Sequence, residues 1–111
     1  MPSNVVTANT TAQTVFTVPY DKIGRIKFIE VDNQAASDIT ITVQDVFTPF
    51  ATDETPSPSE VTKDRKVMTV GATSRAEFRD KAGTIVILGT CKVVASATST
   101  DCKITIGYEL E

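Results

Sequence analysis

Histidine and tryptophan are both missing from this 111-residue chain, and leucine occurs only as Leu88 and Leu110. Without histidine there is no ordinary general base near neutral pH, no usual partner for a nucleophilic serine or cysteine, and no supply of the commonest zinc ligand. Two cysteines, Cys91 and Cys102, do not complete a zinc site. The glycine-rich GxGxxG pattern, the P-loop and the GxSxG elbow are absent as well. The chemistry-bearing groups that remain are 14 carboxylates, and carboxylates without histidine, an aromatic cleft or a metal define no active site. The expectation is a protein with no catalytic residue, no cofactor and no metal. Lack of tryptophan also leaves a sugar-stacking platform poorly supplied. Tyr20 lies in a predicted turn and Tyr108 in the inward phase of a predicted strand.

Positive charge is not in excess. Eleven basic side chains face 14 acidic ones, a net of −3, which gives no electrostatic footprint for nucleic acid. No apolar run approaches a membrane span, and Met1–Val6 shows neither a basic n-region nor an apolar h-region. The expectation is synthesis in the cytoplasm without a signal peptide, and no membrane partner.

Threonine and valine dominate instead. Such β-branched residues suit a pleated, half-buried surface, whereas leucine-poor segments make weak helices. Thr14–Val18 reads as a strand ended by Pro19, with Tyr20-Asp21-Lys22 as a turn. Gly24–Asp32 reads as a second strand whose apolar phase changes midway, Ile26 and Phe28 on one face and Ile29 and Val31 on the other. This predicts a bulge or a strand covered on both faces. Ile39–Gln44 alternates strictly, with Ile39, Ile41 and Val43 inward. Further strands are predicted at Lys66–Val70, Arg75–Arg79 and Thr84–Leu88, and Lys92–Ala97 and Cys102–Leu110 are predicted to close the chain as a hairpin. About eight short strands with no helical stretch predict one antiparallel β-sandwich over residues 1–111, of jelly-roll or Greek-key type. Ile39, Ile41, Val43, Phe78, Ile104 and Ile106 are its expected core. The two cysteines are expected to be free and packed, because the hairpin register sets Cys91 opposite Tyr108 rather than Cys102.

Residues 48–64 differ in character. Pro49, Pro56 and Pro58 stand among Ser, Thr and acids, so a long loop is expected. Asp53, Glu54, Glu60 and Asp64 against Lys63 give residues 53–64 a net charge of −3, and the rest of the chain sums to zero. The acids lack the spacing that arranges oxygen ligands for calcium, so a solvated or partner-binding loop is the better reading. Phe50 is the unpartnered aromatic of this loop, the kind of side chain that anchors an interface. The basic cluster Lys63, Arg65 and Lys66 is expected to guard a strand edge rather than bind a partner. In Thr84–Leu88 apolar side chains point both ways, so one face, Val86 and Leu88 or Ile85 and Ile87, needs a cover from a loop or another subunit. The expected interface residues are therefore Phe50, Asp53, Glu54, Glu60, Val86 and Leu88.

Three segments carry a family resemblance. Thr14–Val43 (TVFTVPYDKIGRIKFIEVDNQAASDITITV) resembles small β-sandwich virion proteins of tailed phages: a strand ending in TVP, a polar turn, a basic-apolar strand, a small-residue turn with Asn, and a Thr-rich alternating strand. Thr69–Phe78 (TVGATSRAEF) resembles that family's second strand-turn-strand, and Lys92–Leu110 (KVVASATSTDCKITIGYEL) its closing hairpin. The three segments make up just over half of the chain, 59 of 111 residues; the resemblance has no counterpart for 48–64, and departs at Tyr20-Asp21, where the family has a small, Ala-Gly-like turn. It implies a capsid decoration (cement) protein or a head or tail accessory protein. Such a protein acts on the virion as a homo-oligomer, with a trimer favoured, against a major capsid or tail protein. It carries no motif from which a functional residue transfers. The competing function is a carbohydrate-binding or adhesin module.

Overall fold

A computed structural model describes residues 2–51, 53–54 and 56–111. Among them are nine strands and no helix: β1 (Ser3–Ala8), β2 (Gln13–Thr17), β3 (Gly24–Asn33), β4 (Ile39–Phe47), β5 (Val61–Val70), β6 (Ser74–Arg79), β7 (Val86–Ile87), β8 (Thr90–Ala95) and β9 (Ser99–Leu110). One sheet has the order β1-β9-β3-β6, with β7 continuing on β3 beyond β6; the other has the order β2-β8-β4-β5. All pairings are antiparallel. Setting the two-residue β7 aside, this is the strand order of a jelly roll, in which the chain crosses between sheets at nearly every connection. Only β4 and β5 are consecutive neighbours within one sheet.

The core is the set of inward positions that alternation marks. Ile39, Ile41 and Val43 of β4 face Ile29, Val31, Ile104 and Ile106 of the other sheet, all essentially without exposed surface. Phe78 is half-buried at the margin of this cluster rather than inside it. Tyr108 is inward and stacks on Phe16 across the sheets, with centroids 3.8 Å apart. The phase change in β3 is a bulge. Its register against β9 slips between Ile26 and Phe28, so Ile26 and Ile29 both enter the core. Phe28 instead lies on Gly107, where an added Cβ would stand 2.0 Å from the ring.

Three sequence expectations need correction. Lys92–Ala97 and Cys102–Leu110 are not a hairpin: β8 and β9 belong to opposite sheets. Alternation is the same whether two strands lie side by side or face each other across a core, so it cannot distinguish these cases. Cys91 and Cys102 are free and buried, but the reason is not a hairpin register: Cys91 lies opposite Asp45 near one end of its sheet and Cys102 opposite Asn33 near the other end of the sandwich. The loop expected over 48–64 ends sooner, since β5 begins at Val61 and pairs with β4 from Phe47↔Val61 onward. Thr84–Leu88 is cut down to Val86–Ile87 because two carboxylates take the backbone donors at its ends. Asp80 accepts from Ile85 N at 2.7 Å and Asp45 from Leu88 N at 2.9 Å.

Candidate interaction site

Three connections meet at one end of the sandwich and leave an apolar groove of about 740 Å³ between them. The β2–β3 turn contributes Tyr20 and Ile23, the β4–β5 connection Phe47, Phe50 and Pro58, and the β7–β8 turn Leu88. Tyr20 is 93% exposed, Phe50 81% and Leu88 46%. Exposed apolar side chains scattered singly are ordinary on a protein surface, whereas a contiguous group marks a contact site.

Each wall has a physical reason for its place. Pro19 opens a turn closed by Lys22 N donating to Pro19 O at 3.0 Å, so Tyr20 and Asp21 occupy its outer corner. Ile23 is fixed by a reciprocal backbone pair, its N–H to Glu111 O at 2.9 Å and Glu111 N to Ile23 O at 2.8 Å. Leu88 is held by the fully buried Asp45 of β4, which accepts from Leu88 N at 2.9 Å and Gly89 N at 3.0 Å. Arg65 of β5 supplies the countercharge to Asp45 at 2.7 Å, and its guanidinium lies 5.7 Å from the centre of the Phe47 ring. A buried carboxylate is tolerated because its lone pairs meet a cation and two N–H donors. Gly89 is required for close approach: a Cβ there would fall 2.2 Å from Val46 O. The third wall carries Pro49 and Pro58, whose fixed φ restricts the connection.

Of the expected interface residues, Phe50 and Leu88 share this groove. Asp53 and Glu54 are exposed in the loop between Ala51 and Pro58, and Glu60 is exposed just before β5. Val86 does not line the groove; it is half-buried on β7 opposite Arg25. Ile85 and Ile87 take the core side of that run, so they are not its spare face. Asp64 belongs to β5, where Gln44 Nε2 donates to it at 3.2 Å. Tyr20, Ile23 and Phe47 were not among the expected site residues. A turn with Tyr at its corner was the available signal for Tyr20, but nothing local tells that three distant connections converge.

Charge is distributed unevenly around the molecule. The pairs Arg75–Asp32 (3.4 Å), Arg79–Glu30 (3.4 Å), Arg79–Glu77 (2.6 Å), Lys27–Glu109 (3.6 Å) and Arg25–Glu111 (2.8 Å) all involve the β9-β3-β6 sheet or its C-terminal continuation. A second, charged depression of about 500 Å³ runs over this sheet past Glu30, Asp32, Arg75, Glu77 and Lys103. There the Gln34 amide lowers the Asp32 carboxyl below its ordinary value against the opposing effect of burial, with help from Arg75. Asp53, Glu54 and Glu60 have no such ion pair among the described residues.

Neither thiol sits in an activating environment. Burial first, and the negative charge of Asp45 second, push the Cys91 thiol up to about 12. Cys102 is raised by burial and by Asp32. A nucleophilic or metal-binding cysteine needs the opposite influence. Among the described residues no cluster of three or more Cys, Asp or Glu is arranged to hold a metal ion. Compared with known protein families, characterised proteins and solved structures, the chain shows no match.

Proposed function

We propose that this protein is a non-enzymatic structural component of a virus particle, decorating or stabilising a tailed-phage capsid or tail lattice through protein–protein contacts. The observation that supports this reading is the loop-end groove, where Tyr20, Phe50 and Leu88 keep apolar surface in water beside each other. Aromatic anchors on loops held by a rigid sandwich are the usual source of interface energy. The family resemblance of Thr14–Val43 and Lys92–Leu110 supports the particle as the setting. In this reading the protein acts as a homo-oligomer, a trimer by preference, and its partner is a major capsid or tail protein.

The test uses particles purified on a density gradient from cells that carry the gene, probed with antibodies against the chain. The expected result is co-sedimentation with particles, lost on Phe50→Ser. Protein found wholly in the soluble fraction overturns the proposal. Light scattering at micromolar concentration gives the assembly state, and a monomeric mass removes the oligomer from it. One observation favours a second reading: two exposed aromatic rings, Tyr20 and Phe50, flank a single groove, as a sugar-stacking platform requires. A glycan array with saturable binding, abolished by Tyr20→Ala, would establish that carbohydrate-binding function instead.

A further inference from the structure

We infer that the outer face of the β2-β8-β4-β5 sheet is a contact between two copies of this chain, packed face to face about a two-fold axis that runs along β4. This contact is separate from the loop-end groove. It goes beyond the particle reading: it gives self-association a surface, and the symmetry of that surface is two-fold rather than three-fold.

The two outer faces of the sandwich differ in charge. A sheet face turned to water carries polar and charged side chains at its outward positions. The β1-β9-β3-β6 sheet follows this rule, with Glu30, Asp32, Arg75, Glu77 and Lys103 on its surface. On the other sheet the outward positions of β4 are Thr40, Thr42, Gln44 and Val46. Among the described residues on that face only Lys92 of β8 and Asp64 of β5 are charged, and neither stands in an ion pair. Val67, beside Thr42, is 54% exposed.

The two flanks of β4 match each other row by row. Lys92 and Asp64 stand on either side of Gln44, Val94 and Val67 on either side of Thr42, and Thr90 and Thr62 on either side of Val46. In the fourth row Thr40 lies between Ser96, whose Oγ accepts from Thr40 N at 2.9 Å, and Thr69, whose hydroxyl is 3.0 Å from its own. A two-fold axis along β4, midway between two such faces, lays β8 of one copy over β5 of the other. Valine then meets valine, hydroxyl meets hydroxyl, and each Lys92 meets an Asp64. Sheets stacked this way lie about 10 Å apart with strands within about 30° of alignment, the ordinary geometry of sheet-on-sheet packing.

The bulge in β5 supplies the acid. Had regular pairing continued past Val43↔Lys66, Arg65 would stand opposite Gln44 and the face would carry two cations. The extra residue lets Arg65 turn in to Asp45 and brings Asp64 to the row of Gln44, whose Nε2 donates to it at 3.2 Å. One cation and one anion placed symmetrically about the middle strand are complementary to the same face of a second copy. A partner surface of one sign would meet a like charge at one of the two positions.

Sedimentation equilibrium of the full chain, from micromolar to submillimolar concentration, tests this. The parent is expected to approach the mass of a dimer and stop there. Lys92→Glu sets acid against acid and Asp64→Lys sets cation against cation, so each alone should weaken association about tenfold or more. An equimolar mixture of the two single variants should recover the dimer, because each chain then offers the other the missing sign. Val67→Asp, at an exposed position, should weaken the dimer independently of that pair, and thermal melts check that every variant folds. Phe50→Ser, in the groove, should leave the mass unchanged. A monomeric parent, a mass beyond two copies, indifference to Lys92→Glu, or a mixture that stays monomeric overturns the inference. So does a dimer that Phe50→Ser abolishes. Co-sedimentation with particles reports on the proposed function alone, so either can fail without the other.

Discussion

Asn33 has no exposed surface, and its side chain joins three segments. Its Nδ2 donates towards Ser37 O at 3.1 Å and towards Val70 O and Gly71 O, both at 3.2 Å, while Oδ1 accepts from Ala35 N at 3.0 Å. One amide thus ties the β3–β4 turn to the β5–β6 turn at the end of the sandwich away from the groove. Asn33→Ala leaves these buried backbone groups without partners and should cost about 2 kcal/mol or more. Asn33→Asp should be worse at neutral pH, because it sets a carboxylate against three carbonyl oxygens, and should recover partly as acid protonates it. Urea unfolding at pH 7 and pH 4 checks the order; equal midpoints for the two variants at pH 7 would contradict it. The cysteines give a second residue-scale prediction. With Cys91 raised to about 12 and Cys102 raised by burial, neither should react with a thiol reagent at pH 8 in the folded protein, and both should react in guanidinium.

At the scale of elements, the basic cluster Lys63, Arg65 and Lys66 divides its labour along β5, an edge strand of its sheet. A register shift lies between Val43 and Gln44, opposite Lys66 and Asp64, so Arg65 sits at a bulge. Arg65 reaches inward to Asp45, and the Lys66 ammonium lies 4.1 Å from the centre of the Phe78 ring on β6, closing the side of the sandwich where the two edge strands meet. Inward-pointing charge on an edge strand discourages pairing with another chain. Arg65→Met would strand a buried carboxylate and should cost about 3–5 kcal/mol. Adding Asp45→Asn should recover part of that loss, since the neutral amide still offers an acceptor to Leu88 N or Gly89 N. A double-mutant cycle by chemical unfolding measures the coupling; simple additivity would show that the pair does not hold the β7–β8 turn.

For the whole molecule, acid is the informative variable. Burial opposes ionisation of Asp80, but backbone donors from Ile85, Thr84 and Gly83 and the Thr84 hydroxyl outweigh it and hold the carboxyl below its ordinary 3.8. Arg25 likewise lowers Glu111. A carboxyl lowered in the folded state binds its proton more readily in the unfolded chain. Its stabilisation is therefore complete above the unfolded value and is lost as pH falls through the folded one. Stability should be level above about pH 5 and decline below about pH 4. Asp80→Asn should be less stable at neutral pH and should lose less between those values. Unfolding free energies from pH 6 to pH 3 test this, and parallel curves for the two proteins would refute it.

What belongs to single segments was legible in the residues themselves. Strict alternation in Ile39–Gln44 and Cys102–Leu110, the broken phase of Gly24–Asp32 and the proline-marked connection after Phe47 each follow from local sterics and burial, and each has its counterpart in the fold. Phe50 and Leu88 stood out for the same local reason, as apolar side chains with no neighbour in sequence to cover them. Partnership between segments was not legible. Whether β8 lies beside β9 or across the core from it, whether Thr84–Leu88 keeps its ladder, and whether Tyr20 meets Phe50 depend on contacts between residues tens of positions apart. Those contacts are made by groups such as Asp45, whose charge predicts an exposed site until Arg65, Leu88 and Gly89 arrive around it. Periodicity reports which side of a strand is buried; only tertiary packing decides against what.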